Sequence, residues 1–114
     1  MSVLLTKDLT DISEFKAGDV FVTDKALARM KDEPQFYEFV TSSLAKYTKK
    51  DWGDTPFDNK TVNDVSSQNG DDILAYYIYP RTNEKILIFT RQSEPCTKIL
   101  LFSETDNAND YERN

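Results

Sequence analysis

Apolar residues along this chain keep two different periods. In "DEPQFYEFVTSSLAKYTKK", Phe36, Phe39, Val40, Leu44 and Tyr47 recur at helical spacing and make one stripe. Pro34 suits a first helical turn. Acids at Asp32, Glu33 and Glu38 favour the start of this segment, and Lys46, Lys49 and Lys50 favour its end, matching the sign of the helix dipole. The spacing therefore predicts a helix over 34–48 whose stripe faces a sheet. Further on the period shortens to two. In "ILAYYIYP" one face carries Ile73, Ala75, Tyr77 and Tyr79 and the other Leu74, Tyr76 and Ile78. With "KILIFT" and "TKILLFS" it predicts an antiparallel meander of strands 72–79, 85–90 and 97–103, its turns marked by Pro80, Asn83 and Pro95. Both faces are rather apolar. One takes the helices, and the other must be covered or form an interface.

Shorter patterns fill the rest. "GDVFVTD" predicts a strand at 19–23, added at a sheet edge, and Thr23 or Asp24 can cap a two-turn helix through "KALARMK". Gly53 is expected at positive φ, as the turn that ends the 34–48 helix. Beyond it, Thr55 as N-cap, Pro56 as first helical residue and Asp58 as third resemble a capping box for a helix reaching about Ser66. The apolar face of that helix is thin, chiefly Phe57, Val62 and Val65, and Asn69-Gly70 then marks a turn. These elements predict an α+β fold: a single domain with two to three helices packed on an antiparallel three- to four-stranded sheet. Residues 1–17 read as a partly ordered N-terminal segment, 18–104 as the domain and 105–114 as a flexible acidic tail.

Composition narrows the function. A chain of 114 residues with 39% hydrophobic residues has room for one core and can build it without staples. Cys96 is the single cysteine and there is no histidine, which excludes an intramolecular disulfide, zinc-type ligand sets and His-based triads within one subunit. The N-terminal apolar run is short and meets Lys7, and no window approaches a membrane span, so a cytoplasmic protein without a membrane segment is expected. The net charge of −6 is local: residues 51–72 hold six aspartates against Lys60, while residues 1–50 are neutral. No basic cluster extends beyond Lys46, Lys49 and Lys50, so no direct contact with nucleic acid is expected and a basic protein partner fits better.

The acidity centres on "KKDWGDTPFDNKTVND", where Asp51, Asp54, Asp58 and Asp64 surround Trp52. These five residues are the candidate partner-binding set. Asp54 and Asp58 also suit capping and polarising the following helix, and Trp52 suits a plug that ties the loop to the core with its indole N–H bonded. Magnesium held by the four aspartates would make a carboxylate-site hydrolase. The spacing departs from a calcium loop, and no Lys, His or Ser stands as an obvious base or nucleophile partner, so no enzyme, metal or cofactor is expected. Cys96 lacks any histidine to activate it and reads as a small, semi-buried residue.

From Phe39 to Phe102 the chain resembles a family of small uncharacterised proteins of phages, plasmids and other mobile elements. "SLAKY", "DWGD", the pair Asn63 and Asp64, "ILAYY", "KILIFT" and "TKILLF" carry the resemblance. The family usually has a histidine near Tyr47, which this chain lacks. Small acidic proteins of mobile elements often act against host defences, so the resemblance implies an interaction protein that inhibits a defence nuclease. A CRISPR effector nuclease is the partner it suggests, its nucleic-acid groove met by an acidic surface acting as a DNA mimic. The alternatives are an accessory interaction module without inhibitory role, or the magnesium-dependent hydrolase. A monomer or weak homodimer is expected.

Overall fold

The computed structural model describes the backbone of residues 2–6 and the whole of residues 9–105. In chain order these form β1 (Ser2–Thr6), β2 (Asp19–Thr23), α1 (Asp24–Asp32), α2 (Pro34–Thr48), α3 (Phe57–Asn69), β3 (Ile73–Ile78), β4 (Lys85–Arg91) and β5 (Cys96–Leu101), with a 3-10 turn at Phe102–Glu104. The result is an α+β domain built on one five-stranded sheet, ordered β1-β2-β5-β4-β3. Most of the expected acidic tail, residues 106–114, lies outside the described residues.

The β3-β4-β5 meander is antiparallel, as its alternation predicts. Two expectations about the sheet change. β2 is not an edge strand: it runs parallel to β5, with Asp19 opposite Cys96 and Val22 opposite Ile99, and β1 pairs antiparallel on its outer side. The sheet is therefore mixed and five-stranded, not antiparallel with three or four strands. A parallel pair needs a long crossover, and here three helices and two strands intervene between β2 and β5. Strand β1 falls within the segment expected to be only partly ordered.

Local signals account for the helices. Thr23 caps α1 by accepting the Ala26 N–H at 3.2 Å. Helix α2 starts at Pro34 and buries Phe36, Val40, Ser43 and Tyr47, with Phe39 and Leu44 half-buried on the flanks of the stripe. It ends in a Schellman turn, in which the Asp51 N–H donates to Lys46 O and the Lys50 N–H to Tyr47 O, each at 3.0 Å. The left-handed residue of that turn is Lys50, at φ 64°, and not Gly53 as expected. Gly53 serves another contact, described below.

One face of the sheet carries the main core, where Val20, Val22, Ile86, Ile88 and Ile99 meet Ala26, Met30, Phe36 and Val40 from α1 and α2. Polar side chains inside it are bonded in series. Tyr47 donates to Thr90 Oγ1 at 2.8 Å, the Thr90 and Thr97 hydroxyls lie 2.7 Å apart, and Thr97 donates to Ala17 O at 2.7 Å. The chain of hydroxyls ties α2, β4, β5 and the approach to β2 together without leaving a buried donor unmet. At the far end of this face Arg29 grips Glu84 with Nε and Nη2, at 2.9 and 2.7 Å, and reaches Glu33 at 3.0 Å. Tyr79 also donates to Glu33. On the opposite face Leu74, Leu87 and Leu100 form a smaller cluster, with Tyr76 and Phe89 packed against it. Among the described residues, no helix is long and apolar enough to cross a membrane.

Candidate protein-binding surface

Beyond Lys50 the chain turns along the outer edge of β3, and residues 51–64 take up its backbone groups one by one. The Asp54 N–H donates to Tyr76 O at 2.9 Å, Thr55 Oγ1 accepts the Tyr76 N–H at 2.9 Å, and Asp54 Oδ2 accepts the Ile78 N–H at 2.8 Å. Asn63, fully buried, bonds both polar groups of Leu74, donating to its carbonyl at 2.9 Å and accepting its N–H at 3.3 Å. An edge strand otherwise presents a row of open donors and acceptors. Here five of them, on three residues, are closed by side chains and one loop amide.

Gly53 lies where the loop crosses closest to the sheet, bridged to Tyr76 at φ 61°. A Cβ there would stand 2.3 Å from the Tyr77 ring, so both the space and the backbone angle call for glycine. The Tyr77 hydroxyl donates to Asp51 O at 2.7 Å, and burial pushes this phenol above its ordinary range. Trp52 is 3% exposed. Its ring packs on Tyr47 and Phe15, with centroids 5.4 and 5.9 Å away, and its indole N–H donates to Asp64 Oδ1 at 2.9 Å. Trp52 is thus a plug, and its indole is not offered to a partner.

The other sequence candidates divide. Asp51 accepts the Gly53 N–H at 3.1 Å, Asp54 holds the sheet edge, and Asp64 holds Trp52, yet all three remain exposed at the surface. Asp58 is exposed in the first turn of α3, where a negative charge suits the helix dipole. The expected capping box does not form: Pro56 is the N-cap residue, and Thr55 Oγ1 is already committed to the Tyr76 N–H and Trp52 O. Among the described residues, no group of three or more Asp, Glu, Cys or His side chains converges so as to hold a metal ion.

Helix α3 reverses the usual allocation of polar and apolar residues. Its buried side chains are Asn63, Ser66 and Ser67, while Phe57, Val65 and Val62 are 80%, 52% and 42% exposed. The thin apolar face expected to pack inward points out. The reason lies in what the helix packs against, because a strand edge offers N–H and C=O groups, and amides and hydroxyls match these where methyls cannot. Gln92 extends the same polar seam, donating to Ser66 O and Asp71 O at 2.9 Å each. Phe57, Thr61 and Val65 follow at four-residue spacing on the outer side of α3, with Val62 beside Val65 and Asp58 alongside. Thr55 leaves its expected N-cap place for the sheet edge, Phe57 turns to solvent, and Asn63 takes a structural role that local pattern does not announce.

Comparison with known proteins gives no match to a family model, to a curated protein or to a solved structure.

Proposed function

We propose that this chain is a non-enzymatic interaction protein that binds a basic protein partner through the outer face of α3. The observation that carries this reading is the reversed helix: it is anchored by polar side chains and turns Phe57, Val62 and Val65 to solvent. A large exposed aromatic on a rigid helix suits an anchor residue, and flanking charges suit a rim that selects the partner. Asp54, Asp58 and Asp64 supply that rim with negative charge. The acids support the apolar anchor here more than they imitate a phosphate row, because Lys60 and the valines lie among them. Inhibition of a host defence nuclease is the role suggested by the resemblance to mobile-element proteins, with a CRISPR effector as the first candidate.

Cleavage by purified CRISPR effector nucleases, measured with and without the protein, tests the reading. Parent protein should slow cleavage and bind the nuclease, and Phe57→Glu and Asp58→Lys should each abolish both effects while melting like the parent. Equal inhibition by a folded Phe57→Glu variant overturns the assignment of α3. Absence of binding to any such nuclease removes the inhibitory role.

A further inference from the structure

The C-terminal half has no run of basic residues along the chain, but folding brings three cations together. Residues 73–103 carry Arg81, Lys85, Arg91 and Lys98. Arg81 lies 3.6 Å from Glu33 at the tip of the β3-β4 turn, and Glu84 is taken by Arg29. The remaining cations share a face with the leucine cluster: Lys85 and Arg91 stand two residues from Leu87 and Phe89 on β4, and Lys98 two from Leu100 on β5, which places all three on the second face of the sheet. Among the described residues none of the three is within ion-pair distance of a carboxylate. Among the described residues three acids stand near them: Asp19 at the Cys96 corner, Asp54 held by the N–H of Ile78, the strand partner of Lys85, and Glu104, turned onto Thr23 Oγ1 and the Leu101 N–H at 2.8 and 2.7 Å.

The same face carries rings. Tyr76 and Phe102 meet edge to face with centroids 6.0 Å apart, and Lys85 Nζ sits 4.4 Å from the Phe102 centroid and 5.2 Å from that of Tyr76. The Arg91 guanidinium lies 5.9 Å from the Phe89 ring. Helices α1 and α2 both pack on the other face, whose core they share, and α3 runs at the β3 edge. Phe102 is exposed, and the leucines beneath give these rings a firm floor.

From this arrangement we infer a second binding site, for single-stranded nucleic acid, on the face formed by Tyr76, Lys85, Arg91, Lys98 and Phe102. Three cations outside ion-pair distance of any described carboxylate select an anionic ligand. Rings interleaved with cations select one whose charge alternates with flat apolar groups. Unpaired bases stack on rings of an open sheet face while the phosphates between them meet the cations. A duplex hides its bases and gains only the charge term. The site is separate from the α3 surface and does not depend on the role proposed for it.

Fluorescence anisotropy with a labelled oligothymidylate, its duplex counterpart and a polyglutamate peptide tests this on the full chain. The single strand should bind best, and the logarithm of its association constant should fall with the logarithm of salt concentration with a slope of about −2, from three neutralised phosphates. Lys85→Gln with Lys98→Gln should flatten that slope to about −0.7. Phe102→Ala should weaken binding at least about fivefold at constant slope, as loss of one stacked base does. Phe57→Glu should leave strand binding unchanged, and melting curves identify variants that remain folded. Failure of the single strand to bind at low salt overturns the inference, as does binding that is indifferent to the two lysines. Binding of polyglutamate in preference to the oligonucleotide assigns the face to an acidic protein instead and overturns it too.

Discussion

The side-chain amide of Asn63 bonds both the N–H and the C=O of Leu74, so one residue of α3 stands in for a neighbouring strand. Asn63→Ala would remove both of these bonds from the buried backbone of Leu74. We expect a loss of about 2–4 kcal/mol in denaturant unfolding, from two buried hydrogen bonds lost together. Asn63→Asp removes the donor and sets a charge beside a carbonyl, so it should cost at least as much. An Asn63→Ala protein as stable as the parent would show that water replaces the amide.

Trp52 and Asp64 hold the loop as a pair. Trp52→Ala should cost about 3–5 kcal/mol, as truncations of large buried rings do. Asp64→Asn keeps an acceptor for the indole and should change stability little, whereas Asp64→Ala should cost about 1–2 kcal/mol. If Asp64→Asn and Asp64→Ala unfold alike, the indole bond contributes nothing beyond packing.

Asp54 and Asp58 should respond differently to the same change. Asp54→Lys loses the acceptor for the Ile78 N–H at an exposed position, with an expected cost of about 1 kcal/mol. Asp58→Lys breaks no described bond and should stay within about 1 kcal/mol of the parent, the worth of one helix-dipole charge. Asp58, with Phe57, is therefore the clean probe of partner binding, and melting temperatures of the two single variants check the distinction.

Acid should loosen the Arg29 cluster. The Tyr79 hydroxyl, and then Arg29, hold Glu33 below the usual carboxylate range, and the Arg29 guanidinium does the same for Glu84. A depressed carboxyl stabilises the fold above its unfolded pKa, about 4.3 for Glu, and that contribution is lost as pH falls through the folded value. Stability should hold from neutral pH to about 5 and decline below it, with a shallower decline in Glu84→Gln. Parallel declines in urea midpoints would exclude Glu84 as a contributor.

The 34–48 helix and the strand meander were legible in sequence because their signals are local: a stripe of spacing, a proline, an alternation. The plug at Trp52 was legible for the same reason, as a lone indole beside carboxylates. What escaped is long-range. Nothing near Asp19 records that β2 will run parallel to β5, and nothing near Thr55 or Asn63 records that a strand edge will claim their side chains. That edge also explains the misread helix. Val62 and Val65 resemble a core face until the surface opposite is known to be backbone.

The closed β3 edge limits how copies of this protein can assemble. Strand β1 lies at the other end of the sheet order, with β2 as its one neighbour among the described residues. A sheet that is sealed on one side extends in one direction only. Two copies joined through β1 would consume both growing ends, and the assembly would stop at a pair, with no third strand edge left to propagate a fibre.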